Sequence, residues 1–265
     1  MKKLAVGVLL LLVLAMLTLR PSSQDPSPDQ VQRLIPVRNI ISNVVWAEKG
    51  QVYFIVADPN RMRLINNPMA AYDTAAAGII YSKTNATQNL GFDSDERWLE
   101  TGQDNVLNRG KPKLSNKTIV LLGGVSVNYC VYYYEKAAGI TPLYFDVAVD
   151  KNGIVMYGFY TNRWYTKELA PTLVAYVTQQ EDRKEKDIFV IQSFTDDNLN
   201  KVYIIYGIGW RGTWAAGIYF KERYAEISNL DKCCYVFQWV DLARDGYKDS
   251  YPQPDEVTMV YSYHY

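Results

Sequence analysis

Three sets of residues have types and spacing that chemistry could use. The first is Gly207, Gly209 and Gly212 in "YGIGWRGTW", a G-x-G-x-x-G between an apolar run and a helix-like one. In dinucleotide-binding proteins such a turn brings backbone N–H groups to a pyrophosphate. The second is Asp241, Asp245 and Asp249 in "DLARDGYKD". Together with Gly246 they match the acidic and glycine positions of a calcium loop. The third is the cysteines Cys130, Cys233 and Cys234. In an oxidising compartment Cys130 could bridge to Cys233 or to Cys234, and three unpaired buried thiols are the competing reading.

The surroundings of the glycines argue against a cofactor. Their strand reads as the second arm of a hairpin, whereas the dinucleotide fingerprint opens a parallel βαβ half. Asp241, the acid that ends the following strand, comes later than the expected spacing of about 20 residues, and too little chain follows it for the rest of a dinucleotide fold. Trp210 and Arg211 are bulky where the backbone should approach a pyrophosphate. We therefore read Gly207, Gly209 and Gly212 as a structural corner that uses positive φ and close packing, and expect no cofactor. The calcium candidate has Ala243 where a third ligand belongs, and Pro252 where a bidentate Glu is wanted. Asp255 or Glu256 would have to substitute, and a solvated Asp-Gly turn explains the cluster as well.

Other catalytic chemistry has few carriers. The single histidine, His264, is the penultimate residue, which argues against Ser-His-Asp and Cys-His systems and multi-histidine zinc sites. There is no C-x-x-C and no P-loop lysine motif. We assign no catalytic residue. With 28 acidic residues, an extracellular carboxylate-based hydrolase acting on envelope glycans stays open as the alternative function.

Charge balances at 28 basic against 28 acidic residues, so nothing draws the whole chain to nucleic acid. The N-terminus points to export. After Lys2 and Lys3 the run from Leu4 to Leu19 has Thr18 as its one polar residue. It is longer than most secretory h-regions, and "LTLRPSS" offers no small-residue cleavage site. We expect a signal anchor or signal peptide over residues 1–20, with Lys2 and Lys3 cytoplasmic. Residues 4–19 would then hold the membrane, and the domain would sit outside the cell or be secreted. "PSSQDPSPDQVQRL" supplies a flexible linker over residues 21–35, and residues 36–265 form one exported domain. Two N-x-S/T sequons, at Asn85 and Asn116, are glycosylation candidates. The 22 tyrosines suit half-buried strands and contact surfaces.

The fold class expected is α/β: a mixed parallel and antiparallel sheet with helices packed on it, preceded by the apolar N-terminal helix. Strands are read at 52–57, 119–122, 142–149 and in "NGIVMYGFYT", the last two joined at Lys151–Gly153 as a hairpin. An Ala-rich helix follows "NPM", with Asn67 or Asp73 as its cap. A second helix, about 128–138, makes a βαβ unit between strands 119–122 and 142–149. "KELAPTLVAYVTQQEDRKEKD" reads as a third helix, and residues 92–116 as a long surface connection. "DIFVIQSFTDDNLNKVYIIYGIG" gives two antiparallel strands around a polar turn, then a helix over about 213–224 and a last strand in "CCYVFQWVDL".

Three of these segments together resemble archaeal surface-layer (S-layer) proteins and related exported envelope proteins. They are "KTIVLLGGVSVN", "DIFVIQSFTDDNLNKVYIIYGIGWRGTWAAGIYF" and "YVFQWVDLARDGYKD". Gly123, Gly124 and Asn128 match a strand-to-Gly-Gly corner of that family, with Val125 in place of its proline. Gly207, Gly212 and Thr213, followed by Ala215 and Ala216, match its later glycine corner. The resemblance spans about residues 70–245. It implies an α/β envelope domain, glycosylation, and assembly with other envelope proteins or with itself.

Overall fold

A computed structural model describes residues 33–60, 69–101, 108–162, 170–178, 186–241 and 257–263. Its centre is a seven-stranded sheet. The strands are β1 (Val52–Val56), β2 (Asn89–Phe92), β3 (Thr118–Leu122), β7 (Lys186–Thr195), β8 (Lys201–Gly207), β9 (Cys234–Val240) and β10 (Val257–Tyr263). Their order is β10-β9-β7-β8-β3-β1-β2. The β2-β1-β3-β8 half is parallel, and β8-β7-β9-β10 is antiparallel. A second sheet is an antiparallel meander of β4 (Leu143–Val149), β5 (Val155–Thr161) and β6 (Leu173–Thr178). Mixed α/β architecture with a mixed sheet is thus what the chain adopts.

The central strands are apolar throughout because both of their faces are covered. All five residues of β3 are buried, as are most of β7 and β8. Each Ile, Val or Leu fully buried there contributes about 1.5–3 kcal/mol. One face, with Phe54, Val120, Phe189, Ile205 and Phe237, packs under α1 (Met69–Tyr81) and α3 (Trp210–Glu222). These two helices lie close because small residues face each other. A Cβ on Gly217 would stand 3.1 Å from Ala76. The other face, with Ile55, Leu121, Val190 and Ile204, packs under α2 (Tyr129–Tyr132), the π-helical turn Tyr133–Ala137 that continues it, and the meander. A short helix, α4 (Tyr224–Ile227), follows α3.

Several expectations need correction. The strand at 142–149 does not join the main sheet after β3; it opens the meander, and β3 finds its parallel partners in β1 and β8. The parallel βαβ unit is β1-α1-β2 instead. Part of the segment read as a third helix is strand β6. Pro171 breaks a helix there, and Val174, Val177 and Thr178 favour the extended chain. Asp73 is not a cap: it lies inside α1 and is buried. Asn67 lies outside the described residues. Neither β2 nor β10 was anticipated; β2 ends at Phe92, where the expected surface connection begins, and Leu99 of that connection is buried.

The expected disulfide is also absent. Cys130, Cys233 and Cys234 are free, buried thiols. Cys130 is on the helix that packs on β3, while Cys234 belongs to β9, which lies beyond β8 and β7. At about 4.8 Å per strand those strands are roughly 14 Å apart, and a bridge needs Cα atoms within about 7 Å. Among the described residues no helix is long and apolar enough to cross a membrane. The run Leu4 to Leu19 lies outside them.

Candidate functional site

The glycine corner begins where β8 ends. Gly207 donates its N–H to Thr213 Oγ1 at 2.9 Å, which folds the chain back on itself. A Cβ on Gly207 would stand 2.3 Å from the Cα of Gly212, so both positions must be glycine for the strand to meet the helix. Positive φ plays no part: Gly209 is extended, with φ −103°. This corrects half of the expectation and keeps the other half.

The N–H groups of this corner do meet an anion, but an internal one. Asp187, fully buried at the start of β7, accepts from Gly209 N at 2.9 Å and from Gly212 N at 2.8 Å. Its carboxylate occupies the position that a phosphate takes in a nucleotide turn. The sequence offered little sign of this, because an acid just before an apolar strand is commonplace.

The other corner forms where β3 ends. Gly123 has φ +94°, and a Cβ there would lie 2.5 Å from Asp73 Oδ2. Asn128 uses its whole side chain. Oδ1 accepts from Cys130 N and Val131 N, capping α2, while Nδ2 donates to Ile55 O and Leu122 O at the ends of β1 and β3. Asp93, also buried, accepts from Asp58 N and Tyr129 N. These polar groups lock the carboxyl ends of three parallel strands.

Between the two corners lies a cleft of about 340 Å³, counted to its open mouth. Asp73, Val125, Phe145, Tyr206, Trp210 and Thr213 are among its lining residues. It lies outside the carboxyl ends of β3 and β8, where open α/β sheets commonly bind ligands. Asp73 is 2% exposed, and its Oδ2 has no hydrogen-bond partner. Burial pushes its carboxyl up to about 7, against the opposing pull of a hydrogen bond with the Thr213 side chain. Behind the Tyr206 ring lies Glu135, whose Oε1 accepts from Tyr206 Oη at 2.7 Å and Gln192 Nε2 at 3.2 Å. Its Oε2 accepts from Phe145 N. Burial raises Glu135 to about 7 as well, despite these donors.

Neither family models nor curated proteins match the chain. Its site must therefore be judged on geometry alone.

The remaining candidates are dispersed. Asp241 closes β9 and is nearly buried, while Asp245 and Asp249 lie outside the described residues. Among the described residues no group of three metal-ligating side chains comes together. Asn85 and Asn116 are both exposed, on turns before β2 and β3. The polar turn between β7 and β8 is organised by Asp196, which accepts from Asn198 N, Asn200 N and Tyr134 Oη.

The sequence reading missed Asp73, Asp187 and Glu135 as site residues. For Asp73 a signal existed: it is the one charged residue in a mostly apolar, Ala-rich helix.

Proposed function

We propose that the chain is an exported, membrane-tethered cell-surface protein, similar to a surface-layer domain, with a structural or interaction role among envelope proteins. The reading rests on the apolar run Leu4 to Leu19, the sequons and the family-like corners. One structural relationship supports it best. Asn85 and Asn116 are exposed at the amino end of the parallel strands, the same end at which the described chain begins. There Arg33 O accepts from Thr195 N, and Leu34 pairs with Phe194. A tether at that end would direct the cleft, at the carboxyl ends of β3 and β8, away from the membrane. Acceptor asparagines must be exposed to be modified, and both are.

The hydrolase alternative needs two carboxyls facing across a cleft. Among the described lining residues Asp73 is the acid present, and Glu135 lies behind Tyr206. The weight therefore stays with the surface-protein reading.

The test is intact mass and N-terminal sequencing of the native protein from membrane and soluble fractions. A membrane-bound chain with residues 1–20 retained, and glycan mass on Asn85 or Asn116, is the expected result. Unmodified full-length protein in the cytosol would overturn it.

A further inference from the structure

We propose that the cleft between β3 and β8 binds a primary ammonium group, with Asp73 as its counter-ion. The inference stands apart from the export reading. Its first support is the unpartnered Oδ2 of Asp73, buried at a cleft it lines. A buried carboxylate oxygen without a donor is costly, and a ligand that brings a donor removes that cost.

The second support is the sign of the local charge. The start of α3 would ordinarily attract an anion, but Asp187 already accepts from Gly209 N and Gly212 N. With that end of the helix answered, Asp73 is the acid left over, and once ionised it favours a cation. Among the described lining residues there is no lysine or arginine; Arg211 stacks over the Trp210 ring at 4.7 Å and does not line the cleft.

The third support is the wall. Val125, Val127, Phe145, Tyr206 and Trp210 offer apolar and aromatic surface to the methylenes behind an ammonium head. The enclosed space, about 20 Å³, admits little more than an ammonium head, so the methylenes behind it lie in the open mouth and a dinucleotide does not fit. Gly123 is what lets the carboxyl sit there, since a Cβ on it would stand 2.5 Å from Oδ2.

The experiment is calorimetric titration of the full-length chain in neutral detergent with three probes of similar size: n-butylammonium, n-butanol and butyrate. Saturable binding of n-butylammonium alone is expected. Asp73→Asn should weaken it at least about tenfold, the scale of a charged hydrogen bond. Ser126→Trp, at the exposed rim, should weaken it by obstruction, and it decides the matter if Asp73→Asn fails to fold. Equal binding of n-butanol would make the cleft merely apolar, and binding of butyrate would make it an anion site. Either result overturns the proposal. So do absence of binding below about 10 mM, unchanged affinity in a folded Asp73→Asn protein, and unchanged affinity in Ser126→Trp.

Discussion

Asp187 Oδ2 accepts the Gly212 N–H at 2.8 Å, joining the start of β7 to the first turn of α3. The bond explains how a nucleotide-like glycine motif serves as a corner. Asp187→Ala removes the acceptor from Gly209 and Gly212 together and leaves buried N–H groups unpaired. We expect a loss of about 2–4 kcal/mol in denaturant unfolding. Asp187→Asn, which keeps one acceptor oxygen, should lose less. Equal stability of Asp187→Ala and wild type would refute the internal-anion account.

Asn128 is the equivalent joint at the other corner. It caps α2 and also ties the helix to Ile55 O and Leu122 O. Asn128→Ala should cost about 2–3 kcal/mol, more than an ordinary cap. Asn128→Asp retains the cap but cannot donate to the two carbonyls, so it should fall between. Chemical denaturation of the three proteins measures the order.

Stability should fall as pH rises from about 4 to 7. Asp73 and Glu135 both titrate near 7 in the folded chain instead of at 3.8 and 4.5. Across that window the folded chain retains protons that the unfolded chain has released. Ionising the buried carboxyls therefore works against folding, and the effect levels off above the folded values. Thermal melts across this range should show the slope, and Asp73→Asn combined with Glu135→Gln should flatten it. A double variant with the wild-type slope would assign the dependence to other groups.

All three thiols should resist a thiol reagent in the native state and react together once the chain unfolds. Cys130 and Cys234 are enclosed, and burial raises both thiols well above their usual range. A reductant should leave the melting temperature unchanged. Two equivalents fewer of reactive thiol in the denatured, unreduced protein would reveal a bridge.

Legibility in the sequence followed locality. The strands at 52–56, 118–122, 186–195 and 201–207 and the helix after Asn128 were readable, because apolar runs and glycine or proline stops act over a few residues. The β4–β5 hairpin was readable from Lys151–Gly153 for the same reason. The partner of β3 was not. A strand's neighbour in a sheet is a long-range choice, and β3 paired with β8, far along the chain, in preference to the next strand in sequence. β6 was misread because an apolar run with a charged tail fits either a helix or a strand until a partner is present.

The same division holds at the site. Gly207, Gly212 and Asn128 announced corners, because a strand that turns sharply into a helix restricts residue type locally. Which acid answers those corners could not be read. Asp187 and Asp73 reach them from β7 and α1, elements distant in sequence. Composition and local pattern pointed to an α/β chain with glycine corners and a single histidine near its end. Folding settled the internal anion, the unpartnered carboxyl and the cleft between them, because burial and electrostatic complementarity exist only between surfaces that packing has brought together.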